Sequence, residues 1–188
     1  MRIRTCAWLL AGLLWGASAQ AGVVTSAVAV TPAGACSTGF VLDRTIDQSG
    51  LTVGYTSGAT DFASYVLSGP RHEGSNGPQN YSCSFDPVPA DVDYDLGATL
   101  GILELGFWQY PFESSGPLFD FQVFTSNDPG FGASTLVGSF TAVADGTGLG
   151  APGTALQVFD LLDTDARYLR RRVQTFSGAG WGWARSPL

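Results

Sequence analysis

The sequence predicts an all-β sandwich or barrel with at most one short helix, and three observations predict it. In 118–128 (LFDFQVFTSND), Phe119, Phe121, Val123 and Thr125 alternate with Asp120 and Gln122, the period-two pattern of a half-buried strand. The same period runs through Leu103, Leu105 and Phe107, with Glu104 and Gly106 pointing the other way. Turn residues recur at short intervals along the whole chain, which suits many short strands and few helices. The expected core is Leu103, Leu105, Phe107, Phe119, Phe121 and Val123.

In chain order, 23–30 alternates loosely between small and β-branched residues and is the first strand, closed by Thr-Pro-Ala-Gly at 31–34. Short strands at 40–42 and 51–55 flank an Asp-Gln-Ser-Gly turn at 47–50. The one helix is 61–67, with Thr60 as its N-cap and Asp61 in its first turn. A polar, glycine-rich loop follows at 69–78 (GPRHEGSNGP), then a strand at 81–85 and a break at 86–89. The central strand ends at Pro111, and Glu-Ser-Ser-Gly-Pro at 113–117 turns the chain into 118–128. Asn127-Asp128-Pro129-Gly130 breaks that strand. Further strands are expected at 136–143, 156–161 and 167–173. Residues 145–153 (DGTGLGAPG) make a loop and no phosphate cradle, because no strand-to-helix context surrounds them and no lysine follows.

Residues 1–19 have the layout of a signal peptide. Arg2 and Arg4 are the basic end, 6–15 is a short apolar run, and Ala17-Ser18-Ala19 is the cleavage site, with Ala19-Gln20-Ala21 as a second register. Export to the periplasm or beyond is the expectation, with 20–176 as one domain. Nine basic residues, less two in the leader, stand against sixteen acidic ones, so the mature formal charge is −9. All nine are arginine. An acidic chain without a basic stripe excludes nucleic acid as a partner and disfavours anionic membranes. No stretch after the leader is long and apolar enough to anchor the chain in a membrane. Cys36 and Cys83 survive export and read as a disulfide worth about 2–4 kcal/mol; two buried free thiols are the alternative.

The order of these motifs carries a resemblance. "DLG" at 95–97, an apolar strand ending in Phe107-Trp108, then "FDFQVFTSND" at 119–128 and "ARYLR" at 166–170 resemble a discoidin (coagulation-factor type C) domain of the galactose-binding-like group. SGATDFASYV at 57–66 followed by His72 is similar to the discoidin-like set among bacterial exported proteins of the PEP-CTERM class. The resemblance spans most of the mature chain and implies a jelly-roll β-sandwich, non-catalytic, whose end loops bind glycans, lipids or proteins. One position departs from it. Arg171 stands between Leu169 and Val173 on one strand face, where the resemblance implies an apolar residue. Arg171 must snorkel to an edge, pair with an acidic neighbour, or impair the strand.

Catalytic chemistry finds little support. His72 is the only histidine, no serine sits in a G-x-S-x-G elbow, and Asp91, Asp93 and Asp95 alternate along one strand, so they point one way. That row reads as a solvated face, with glycoside hydrolysis as its minor alternative. A structural calcium held by Asp86, Asp91 and Asp93 is the other role, since hard cations take carboxylate oxygens. A sugar site asks for aromatic faces beside planar hydrogen-bond donors on end loops. Arg71, His72 and Asn76 in the polar loop, with Trp108 and Tyr110 at a strand end, meet that requirement; Trp108 packed under the loops as core is the competing reading. The expected function is a glycan-binding module of an extracellular matrix or cell envelope, and a structural or protein-interaction component is its rival.

The tail at 177–188 (SGAGWGWARSPL) does not read as a domain ending. The resemblance implies a glycine-rich turn, a short G-E-V-A strand and a Pro-Glu-Pro sorting signal with a membrane helix. With GC-rich codons, the reading frame two bases on gives G-L-G-L-G-E-V-A-A. A frameshift near Gly178 is therefore the expectation, with Trp181 and Trp183 exposed and the product released.

Overall fold

The computed structural model describes residues 22–32, 42–72, 89–109, 119–143, 153–176 and 184–185. The leader, Cys36, Asn76, the 81–85 strand, Cys83, Asp86, Tyr110 and most of the tail, Trp181 and Trp183 included, lie outside the described residues.

Two strands of twenty residues organise the chain: β3 (Ala90–Gln109) and β7 (Gln157–Phe176) pair antiparallel along their length. With β1 (Ala29–Pro32), β4 (Phe119–Ser126) and β5 (Thr135–Ala142) they form a sheet in the order β1-β3-β7-β4-β5. A two-residue β2 (Arg71–His72) pairs β6 (Thr154–Ala155) in a second, small sheet. In the tail, β8 (Ala184–Arg185) pairs Trp108 and Gln109 of β3. The helix α1 (Phe62–Leu67) begins one residue later than expected, because Asp61 and not Thr60 caps it, accepting from the Ser64 N–H at 2.8 Å.

The β3–β7 ribbon bends where its register shifts, between Asp95 and Leu100 and again between Ile102 and Glu104. Gly97 makes the first bend possible: its φ is +80°, its N–H bonds the Asp95 carboxylate, and a Cβ there would press on Val28. Past the bend the ribbon folds back over the sheet as the opposing layer. The rings record this: Phe107 stacks on Phe121 at 5.5 Å, and Phe159 meets Phe121 edge-on at 5.3 Å and Phe140 at 5.0 Å. Val92, Tyr94, Leu105, Val123, Leu169 and Val173 complete this core. A second cluster of Val24, Tyr65 and Trp108 lies on the ribbon's other side, under α1. Layers on both sides explain why 105–108 are all buried.

Several expectations are corrected. Leu103 is 43 % exposed, because the bulge after Ile102 flips the alternation and turns Ile102 inward in its place. The first strand starts at Ala29 and keeps Pro32, which sits on a sheet edge where its missing N–H costs nothing. Of the strand expected at 40–42 only Leu42 lies among the described residues, where it opens a 3-10 turn, Leu42–Thr45, and 51–55 contributes only an isolated bridge from Leu51 to His72, so the strand expected at 51–55 does not form. The two strands expected at 156–161 and 167–173 are one continuous β7. The side chain of Phe119 lies outside the described residues; Phe121 and Val123 are in the core as expected.

Arg171 does not snorkel. It is fully buried, opposite Val92 on one side and Val123 on the other, with its guanidinium carbon 5.5 Å from the Phe107 ring centre. Burial raises the Tyr94 hydroxyl's pKa, while the Arg171 charge pulls it down. The strand runs through Arg171 without a break in pairing, so this guanidinium is built into the core and does not interrupt it.

Candidate functional site

Register places five strand ends together: Pro32 opposite Val92, Ala90 opposite Val173, and Phe119 opposite both Ala142 and Phe176. The segment 73–88 runs from His72 to this end, and 144–152 runs from it to Gly153. Between their other ends sits the small β2–β6 platform.

That platform is tightly tied. The Arg71 N–H bonds the Thr52 hydroxyl at 2.9 Å, and Arg71 O accepts from the Thr52 N–H at 2.8 Å. The Arg71 guanidinium donates through Nε and Nη2 to Gly153 O, clamping the two segments. His72 Nε2 lies 3.3 Å from Ser49 O, and a Cβ on Gly50 would fall 2.4 Å from the same nitrogen. Trp108 Nε1 donates to Pro70 O at 3.1 Å. The structure thus brings Arg71, His72 and Trp108 together, as the sequence led us to expect, but gives two of them another task. Trp108 is 1 % exposed and His72 3 %, so neither offers a face to a sugar. Trp108 is the floor on which the platform rests. Arg71 is half-buried and remains at the edge of the platform.

The aspartate row has partners that the sequence reading missed. Asp91, Asp93 and Asp95 face arginines of β7 in three bidentate pairs. Arg172 grips Asp91 at 2.7 and 2.8 Å, Arg170 grips Asp93 at 2.6 and 2.7 Å, and Arg167 grips Asp95 at 2.9 and 3.0 Å. Arg170 also reaches Asp91 at 3.3 Å. Rings cover the guanidinium planes: Phe131 lies 4.1 Å from Arg170 and Phe124 5.0 Å from Arg172. The signal was present, as D-x-D-x-D on one strand and R-x-R at 170–172 on another share the strand period, but pairing them requires the β3–β7 register.

This bears on two of the three residues of the metal reading, Asp91 and Asp93, while Asp86 lies outside the described residues. Carboxylates whose oxygens are committed to arginine forks do not fit a calcium shell, and among the described residues no group of three potential ligands gathers. It also withdraws the carboxylate pair from general acid or base work. The Arg167 hydrogen bond holds Asp95 below its usual value of 3.8, outweighing partial burial. Asp61 and Asp128 are lowered too, by their bonds to Ser64 and to the Gly130 and Gly132 N–H groups. A depressed folded pKa contributes stability that is present above about 3.8 and lost as pH falls through the lower folded values. The unfolding temperature should therefore hold from neutral pH to about pH 4 and drop below it, and Asp95→Asn should flatten part of that drop. Thermal scans across an acid series check this.

No family model matches the chain, and no curated protein matches it. Among solved structures it is similar to the CBM32 of AlyQ in complex with 4,5-unsaturated mannuronic acid, at TM-score 0.51 and 19% identity, covering 88% of this chain and 95% of that one. It is similar to truncated AlyQ with CBM32 and alginate lyase domains at TM-score 0.50 and 20% identity, covering 86% of this chain and 31% of that one. The family 32 CBM from C. perfringens NanJ in complex with galactose matches at TM-score 0.50 and 11% identity, covering 85% and 93%. At these identities the likeness is one of fold: this chain is an all-β sandwich that matches the fold of these CBM32 structures, with one short α-helix among the described residues.

Proposed function

We propose that the mature chain is an exported, non-enzymatic carbohydrate-binding module for glycans of an extracellular matrix or cell envelope. The observation that carries this reading is the fold shared, over most of both chains, with modules seen bound to galactose and to an unsaturated mannuronic acid. Two features of the chain support it. The Arg71 platform clamps Gly153, and in the chain Asn76 follows its strand by four residues and Tyr110 directly follows β3. Among the described residues, Asp91 and Asp93 have their oxygens committed to arginine forks, which leaves them unfit for hydrolysis. The leader and the discoidin-like motifs of the PEP-CTERM class supply the export route and the envelope setting. With a mature charge of −9, neutral or cationic glycans suit the chain better than polyuronates.

A glycan array followed by calorimetry tests the proposal. Saturable binding is expected, weakened at least about tenfold by Asn76→Ala or Tyr110→Ala with the unfolding temperature unchanged. A blank across the array, or binding indifferent to both substitutions, would overturn the assignment in favour of a structural matrix component.

A further inference from the structure

An apolar groove opens beside the bend of the β3–β7 ribbon. Val23 and Phe62 form one wall, and Leu96, Leu100, Ile102 and Leu103 of β3 form the other. The bulge exposes it: residues 161–163 of β7 all fall opposite Leu103, which turns outward, and Val23 is exposed across from it. The groove holds about 190 Å³. That is below the roughly 300 Å³ at which small-molecule pockets begin, and it is enough for one apolar side chain.

The charges around the groove are of one sign. Before Gly97 the ribbon is matched, because Asp91, Asp93 and Asp95 of β3 each meet an arginine of β7. Beyond the bend the matching stops. Glu104, which lines the groove, stands directly opposite Asp160, and like charges at facing positions of antiparallel strands repel. Gly101, also in the lining, stands opposite Asp165, and a Cβ on it would lie 3.4 Å from Asp165 Oδ1. Glu104, Asp160 and Asp165 are exposed and have no ion-pair partner among the described residues, while the neighbouring Arg167 is gripped by Asp95.

We propose that this groove docks a cationic segment of another protein, with one apolar side chain seated between Val23, Phe62 and Leu103 and flanking lysines or arginines on Glu104, Asp160 and Asp165. Charge complementarity chooses the occupant. A second copy of this chain, with a mature charge of −9, would bring carboxylates to carboxylates, and an anionic lipid surface is repelled in the same way. A neutral glycan gains nothing from the acidic border and meets mostly apolar walls. A basic segment relieves the Glu104–Asp160 repulsion that the fold alone leaves standing. The apolar anchor supplies affinity and the border charges supply specificity. No residue of the Arg71 platform lines the groove, so the two can be tested apart.

The test is fluorescence anisotropy of a short labelled peptide, one leucine flanked by lysines, titrated with the full chain. Saturable binding is expected, weakened about fivefold or more by Leu103→Ala in the chain or by glycine in place of the peptide's leucine. Glu104→Lys should weaken it by about tenfold or more, added salt should weaken it, and a glutamate-flanked peptide should not bind. The unfolding temperature should fall in neither variant, since both positions are exposed. Asn76→Ala and Tyr110→Ala should leave peptide binding unchanged. No saturable binding, equal binding of the leucine-free peptide, or indifference to Leu103→Ala or to Glu104→Lys would overturn the proposal. So would self-association of the chain, seen by sedimentation, that Leu103→Ala abolishes, because a second copy would then fill the groove.

Discussion

Trp108→Ala should lower stability by about 3–5 kcal/mol, the cost of deleting a large buried aromatic side chain and leaving its cavity. The indole is 1 % exposed and packs with Val24 and Tyr65, while its N–H bonds Pro70 O at the start of the platform. For a domain of this size the loss should read as a fall of roughly 6–20 °C in unfolding temperature. The platform should fail with it, because Arg71 and His72 directly follow Pro70. Trp108→Phe, which keeps the ring volume nearer and removes the N–H donor, should cost much less. A Trp108 that stacked on sugar would behave in the opposite way. Its substitution by alanine would abolish binding and leave the unfolding temperature where it was.

Phe121→Ala should cost a similar amount, about 3–5 kcal/mol, for a different reason. Its ring touches Phe107, Phe140 and Phe159, so it joins the sheet to the folded-back half of the ribbon. Removing it opens the centre of the sandwich between two layers that cannot close independently. Leu103→Ala is the contrast: the sequence pattern places Leu103 in the same core, yet its exposure predicts a change within about 0.5 kcal/mol. Denaturant unfolding of the two variants side by side separates the observed register from the one that simple alternation suggests.

The comparison of Phe121 with Leu103 shows what was legible in the sequence. Alternation without interruption, as in Phe121, Val123 and Thr125, reads directly onto a strand face. Alternation through a bulge does not, because one extra residue inverts every side chain beyond it and leaves no mark in composition. The two twenty-residue strands were read in pieces for a related reason: Gly97 and the Leu162-Asp163 stretch look like boundaries, yet they are bends within continuous ladders. The grouping of Arg71, His72 and Trp108 was legible, and the sequence left two readings of Trp108 open. Which way each side chain turns depends on the platform's contacts with Ser49, Gly50 and Gly153, residues far apart in the chain. The arginine forks were hidden for the same reason, since Asp91 and Arg172 meet only through sheet register.

We propose that a sugar is held beside the Arg71 platform. Amide chemical-shift mapping of the full chain, titrated with the strongest neutral glycan from the array, tests it most directly. The account predicts saturable shifts concentrated on Arg71, His72, Asn76 and Tyr110, with the Asp91–Arg172 face unmoved. Shifts confined to that face, or none with any glycan, would contradict it.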